Sequence, residues 1–313
     1  VRSAFFRTLM SLAEEDSRIC LVVGDIGFGV VEPFAQRFPT RFVNVGVAEQ
    51  NMTGVAAGMA MCGKVVFTYS IANFPTLRCL EQIRNDVCYH HADVKVVAVG
   101  GGFAYGALGM THHATEDLAI LRSMPGMVVV APGDPIETEL VTGAIVAQAG
   151  PCYLRLGRAG EPTVHTSRPE FELGKAIVVR EGSDLAMIST GGMLDTAVQV
   201  AERIARLGLH ARVLSMHTIK PLDRDSVLAA ARETGAIFTL EEHSVIGGLG
   251  GAVAEVLAES GELRVPFRRI GLPSEFSSRV GSQEYLRACY GLSASAIVDT
   301  VRATLISTRT VTA

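Results

Sequence analysis

The sequence predicts an α/β protein of two domains, each a parallel sheet wound on both faces by helices. Three observations carry this. Short β-branched runs alternate with helical patterns almost from end to end, and the runs are predominantly apolar, as in strands buried on both faces. The alternation also stops once, near residue 165, and then resumes. The length of 313 residues agrees, since it exceeds one ordinary domain and can bury two cores.

In chain order, residues 1–18 (VRSAFFRTLMSLAEEDSR) place an acidic patch after a short apolar face and read as a surface helix. Strands are expected at 20–24, 41–46, 64–69, 94–100 and 127–132, with helices at 32–38, 48–61, 75–90, 115–123 and 134–149. In PGDPIET, Asp134 and Pro135 stand where an N-cap and a first-turn proline start a helix. After CYLRLGR (152–158), the stretch AGEPTVHTSRPEFELG is rich in Pro, Gly, Ser and Thr, lacks an apolar period and reads as a linker. Strands then follow at 185–190, 211–216, 236–240 and 265–271, with helices at 193–207, 223–233 and 249–260. The division is therefore 1–165 and 166–313. No repeat of 20–50 residues is visible.

The composition narrows the function classes. A net charge of −4 leaves no footprint for nucleic acid or anionic membrane. The six cysteines are scattered, without CxxC, which reads as reduced cytoplasmic thiols and not as a zinc site. No secretory segment and no run of about 18 apolar residues occurs.

Four stretches could carry chemistry. Glu49 opens the helix of VAEQNMTGVAAGMAMCG. Locally it reads as an acid complementing the helix dipole. The helix behind it, however, is small and apolar nearly all round and so should be buried, and a buried acid needs a partner. GGGFAYGALGMTHHATED (100–117) is a glycine-rich loop that ends in His112 and His113. It lacks a P-loop pattern, and its histidines suit either helix capping or acid–base work. Thr115 followed by Asp117 is a plausible local cap. SIANFPTLRCLEQIRND (70–86) reads as an amphipathic helix with pairs such as Arg78–Glu81. LEEHSVIGGLGGAV (240–253) resembles a dinucleotide turn only superficially and reads as close packing.

Five motifs in order resemble one family: VNVGVAEQNMTGVAAGMAMCG, GMTHHATEDLAILRSMPGMVVVAPGDPIE, YLRLGR, HTIKPLD and EEHSVIGGLGGAVAEVL. They are similar to the C-terminal half of transketolases and 1-deoxyxylulose-5-phosphate synthase. The resemblance implies a pyrimidine-binding domain over 1–165 and a transketolase C-terminal domain over 174–313. It implies thiamine diphosphate as cofactor, with Glu49 hydrogen-bonded to N1′ of the aminopyrimidine ring and Phe74 packed on that ring. Ile71, Gln50 and Arg78 fall in the same cofactor-binding stretches. It places His112, with His113 beside it, against substrate oxygens, and it sets Arg78 and Arg155 or Arg158 where family arginines hold sugar phosphates. The activity implied is transfer of a two-carbon ketol unit from a ketose to an aldehyde. The E1 β subunit of 2-oxo-acid dehydrogenases shares the layout, but LRLGR, HTIKPLD and EEHSVIGGLGG read as transketolase-like.

Four departures stand out. The GDG motif that binds Mg²⁺ and the diphosphate in the family is missing, and the chain is about half the family's length. The expectation is a split enzyme, in which a companion subunit carries the Mg²⁺ and diphosphate site and the assembly is α2β2. Leu108 also occupies the position of a family acid that contacts a substrate hydroxyl, and Ile71 that of an aromatic. The ordinary pentose phosphates are therefore not expected to be the best substrates; a modified or branched sugar, or pyruvate as acyl donor, is favoured.

Overall fold

The computed structural model describes residues 1–261 and 265–311. Among them the first half supplies strands β1 (Ile19–Val23), β2 (Phe42–Asn44), β3 (Val65–Ile71), β4 (Val94–Val99), β5 (Val128–Val130) and β6 (Cys152–Leu156). The second half adds β7 (Ile177–Arg180), β8 (Leu185–Ser189), β9 (Ala211–Ser215), β10 (Thr218–Lys220), β11 (Ile237–Ser244) and β12 (Phe267–Leu272).

Two sheets result, in the orders β10-β5-β6-β4-β3-β1-β2 and β12-β11-β8-β9-β7. Pairing is parallel except for β10 on β5 and β7 on β9. Strands β1, β3, β4, β6, β8 and β11 are buried along their whole length; β1 is wholly apolar, whereas the others also bury polar residues, among them Lys95, Arg155 and Glu241, which are held by hydrogen bonds. Every expected strand is present. β6, in CYLRLGR, and the short strands β7 and β10 were not expected; the last two have only three or four residues, too few for a readable alternation. β10 belongs to the second half of the chain yet extends the first sheet, so sheet membership crosses the linker.

Some local expectations need correction. The first helix, Arg2–Glu15, is not a surface element: Phe5 and Leu9 are completely buried and pack into the first core. Helix Glu49–Met61 is not buried all round. Met52, Thr53, Ala56 and Ala57 face inward, whereas Asn51, Gly54, Gly58 and Met61 lie open, and no atom approaches within 4 Å of where a Cβ at Gly54 or Gly58 would stand. The segment expected as a helix over 75–90 winds as a 3₁₀ turn at Leu77–Cys79 and widens to a π-helical stretch at Ile83–Cys88, a distortion frequent at functional sites. Helices Gln283–Cys289 and Ala294–Val311 were not anticipated.

Residues 157–176 carry no helix or strand. They are tied down by the predicted cap: one oxygen of buried Asp134 accepts from Glu137 N at 2.8 Å, and the other accepts from Val164 N and His165 N at 3.0 Å each. β11 runs on through EEHS, and its acids anchor both domains. Glu241 accepts from Leu249 N and Gly250 N at 2.7 and 2.8 Å, capping helix Leu249–Ser260, and burial pushes its carboxyl up to about 7. Glu242 accepts from Phe103 N and pairs with Arg287. Among the described residues no helix is long and apolar enough to cross a membrane.

Candidate active site

Glu49 is the first residue of its helix, and its side chain is only 2 % exposed. A buried carboxylate is costly unless paired, and its partner here is Arg78, whose Nη1 lies 2.7 Å from Oε2. Arg78 therefore reaches back to Glu49 rather than forward to Glu81, overturning the expected helical pair. Gln50 Nε2 donates to the Arg78 carbonyl at 3.1 Å, so two consecutive residues of AEQ hold the same segment. The Arg78 guanidinium sits 4.7 Å from the Phe74 ring centroid.

The rest of the site grows outward from Phe74. His112 meets that ring edge-on at 5.2 Å, Tyr105 lies 6.5 Å beyond His112, and Arg158 stacks over Tyr105 at 5.3 Å. A continuous ridge thus joins Glu49, Arg78, Phe74, His112, Tyr105 and Arg158. Asn73 fastens it, its Nδ2 donating to the carbonyls of His113 at 2.7 Å and Thr111 at 3.3 Å. Neither Asn73 nor Tyr105 was singled out from the sequence. Asn73 had no motif to mark it, whereas Tyr105 was a visible signal, a lone aromatic among glycines.

His112 is half-buried, with Nδ1 3.0 Å from Thr111 Oγ1. Burial, and then the neighbouring His113, lower its pKa from the ordinary 6.5, so the imidazole is neutral near pH 7. Among the described residues its Nε2 has no hydrogen-bond partner, which leaves it available.

Other expected site residues are placed differently. His113 is 3 % exposed, with Nε2 3.2 Å from Gly106 O and its ring edge-on to Phe103, and it still lines the cleft beside Phe74 and Arg78. Ile71 ends β3 inside the first core and presents no open face. Arg155 is 6 % exposed and largely consumed by structure: Nε donates to Asp117 at 2.8 Å, and Nη2 donates to the carbonyls of Ala114 and Glu242 at 2.7 and 3.1 Å. Asp117 also accepts from Tyr153 Oη at 2.5 Å, so it is an ion-pair partner and not the helix cap expected with Thr115. Arg158 stands exposed at the end of the ridge, and Leu108 is 55 % exposed.

The glycine-rich loop is explained by close packing. A Cβ at Gly100 would collide with the Tyr105 ring, one at Gly101 would lie 2.5 Å from Arg155 Nε, and one at Gly102 would lie 2.6 Å from the Glu242 carboxyl carbon. Three consecutive glycines thus admit three side chains. Beside Phe74 and Arg78 a cleft of about 580 Å³ opens between the domains, walled on its far side by Leu272, Phe276 and Tyr290. Among the described residues no three His, Cys, Asp or Glu side chains gather as metal ligands.

The two halves match two family descriptions: "Transketolase, pyrimidine binding domain" over residues 1–161 and "Transketolase, C-terminal domain" over 174–297. The chain belongs to the transketolase family. It is 42% identical to a subunit of the apulose-4-phosphate transketolase of Phocaeicola vulgatus, over 96% of this chain and 95% of that one. It is 40% identical to a 6-deoxy-6-sulfo-D-fructose transketolase subunit of a Clostridium species, over 95% and 92%. A solved split-gene transketolase, described as an inactive β4 tetramer, superposes with a TM-score of 0.88 at 38% identity and covers 97% of both chains. Family membership implies thiamine diphosphate, and these relatives are subunits of nearly this chain's length.

Proposed function

We propose that this chain is one subunit of a split, thiamine-diphosphate-dependent transketolase, which moves a two-carbon ketol unit from a ketose donor to an aldehyde acceptor and is active only with a companion subunit. The carrying observation is the buried Glu49 carboxylate, paired through one oxygen to Arg78, whose guanidinium in turn lies against the Phe74 ring.

Those residues fit the aminopyrimidine end of the cofactor. Gly24 lies so close that a Cβ there would stand 3.3 Å from Glu49 Cγ, which fixes the carboxyl from behind. Oε2 is held by Arg78, leaving Oε1 to share a proton with ring nitrogen N1′, a role suited to an acid kept from water. Phe74 offers its ring as a packing face, and Gln50 keeps the Arg78 segment in register. The cofactor, when bound, supplies the nucleophilic carbon and the electron sink for the two-carbon unit. His112, neutral near pH 7 and with Nε2 open, is placed to hydrogen-bond substrate oxygens and move a proton among them. Arg158 is placed to hold an anionic end of the sugar.

We assign Mg²⁺ and the diphosphate to the companion subunit, in an α2β2 assembly. Supporting this, the face around Glu49 is left unusually apolar: Phe28 is 76 % and Val47 77 % exposed, and the open Gly54–Gly58–Met61 stripe runs alongside. Such surface marks an interaction site. The six cysteines are free thiols, which supports a reducing compartment such as the cytoplasm. The first unit, as we divide the chain, is 1–165 and the second 166–313.

The test is co-expression with a GDG-containing companion, followed by a donor–acceptor screen. The complex should transfer ketol units, neither chain should do so alone, and modified or branched sugar phosphates should outperform xylulose 5-phosphate with ribose 5-phosphate. Turnover by this chain alone would overturn the split assignment.

A further inference from the structure

We infer that Tyr105 is a positioning residue that presents Arg158 to an oxyanion-bearing end of the substrate, so that preference for anionic sugars depends on an aromatic ring and not on the arginine alone. This rests on the assignment of Arg158 above.

The ring is built into place. Tyr105 is half-buried against the first core, and the absence of a Cβ at Gly100, which sits at φ +95°, opens the space the ring fills. Its exposed side carries the Arg158 guanidinium at 5.3 Å, within the range of a cation–π contact, and its edge meets His112. One ring therefore sets the spacing between the proposed proton-moving group and the proposed anion-binding group. Arg158 is exposed, and among the described residues no carboxylate forms an ion pair with it. A long, free arginine samples many rotamers, and a ring beneath it narrows them without neutralising the charge. The loop bearing Tyr105 carries Leu108 rather than an acid, so no carboxylate of that loop competes for the guanidinium. The ligand chemistry is a tetrahedral oxyanion, phosphate or sulfonate.

The assembled two-subunit enzyme tests this with one ketose in phosphorylated and unphosphorylated form, and with inorganic phosphate and inorganic sulfate as separate competitive inhibitors. For Tyr105→Leu, KM for the phosphorylated donor and the inhibition constant of the better-binding anion should rise about two- to fivefold, the range of an exposed cation–π contact. The KM of the unphosphorylated donor should rise distinctly less than that of the phosphorylated one. Tyr105→Phe, which keeps the ring, should restore the wild-type KM, and Tyr105→Met replaces the leucine variant if that one fails to fold. Equal rises for both donors, or a phenylalanine variant as impaired as leucine, would overturn the positioning role. Arg158→Gln separates the two levels. If it raises KM for the phosphorylated donor while Tyr105→Leu does not, Tyr105 is refuted alone; if it leaves that KM unchanged, the assignment of Arg158 fails first. Weaker inhibition by phosphate than by sulfate would assign the subsite to sulfonates.

Discussion

Replacing Arg155 by methionine tests whether this arginine is a support or a substrate ligand. The guanidinium is 6 % exposed and makes three hydrogen bonds, one to a fully buried carboxylate. Removing it strands Asp117, whose second oxygen already lacks a partner, and frees two carbonyls. Breaking one side of a buried ion pair costs about 3–5 kcal/mol, which for a domain of this size lowers the melting temperature by about 6–20 °C. Replacing both charges is milder, since two apolar groups leave no naked ion. Arg155→Met with Asp117→Leu should lose about 1–3 kcal/mol, chiefly from the buried Tyr153 hydroxyl left without its acceptor, since the Ala114 carbonyl keeps the Gly102 N–H. That hydroxyl remains a donor, because burial and then Asp117 push its pKa well above the ordinary value. Urea and thermal unfolding of the four proteins in the cycle measure the coupling, and KM in the assembled enzyme measures any substrate role. An unchanged unfolding midpoint with a tenfold higher KM for a phosphorylated donor would refute the structural assignment.

Glu49→Gln in the assembled enzyme should lower kcat by about 10²–10⁴-fold, the usual span for a lost proton-transfer group, while thermal unfolding changes little; steady-state ketol transfer checks it, and full activity would remove Glu49 from the chemistry. Asp134→Ala strips acceptors from three backbone N–H groups at once and should cost about 2–4 kcal/mol by urea unfolding, more than the roughly 1 kcal/mol of a simple helix cap. Burial holds His112 below 6.5, so its protonation, which removes the Nε2 acceptor, falls at lower pH. The acid limb of kcat/KM should accordingly lie below pH 6.5 and vanish in His112→Asn, whereas a limb above 6.5 would contradict the assignment.

Much of the fold was legible because buried strands leave a short-range signal. VVFTYS and VKVVAV carry apolar β-branched residues on both faces, with few polar interruptions, and Asp134–Pro135 announces its helix by local capping chemistry. The candidate site stretch stood out through ordered motifs, which record residue types and spacing. Other features depended on approach through space. Whether Arg78 turns to Glu81 or Glu49 depends on how the segment after β3 lies beside helix Glu49–Met61. Whether Arg155 or Arg158 is free depends on alternation along β6, which points Arg155 at Asp117 and leaves Arg158 past the strand end. The open face of helix Glu49–Met61 also eluded the sequence, because a glycine–alanine helix reads the same whether its own chain covers it or nothing in that chain does.

The sequence by itself determined the two α/β units, the strand and helix order, and the acid at the mouth of the helix, since these rest on patterning within a few residues. The tertiary structure alone decided that Glu49 is paired, that three glycines exist to admit Tyr105, Arg155 and Glu242, and that a ridge of side chains links Glu49 to Arg158. Those facts are set by packing between segments distant in sequence, where a difference of one side-chain length separates an ion pair from an open site.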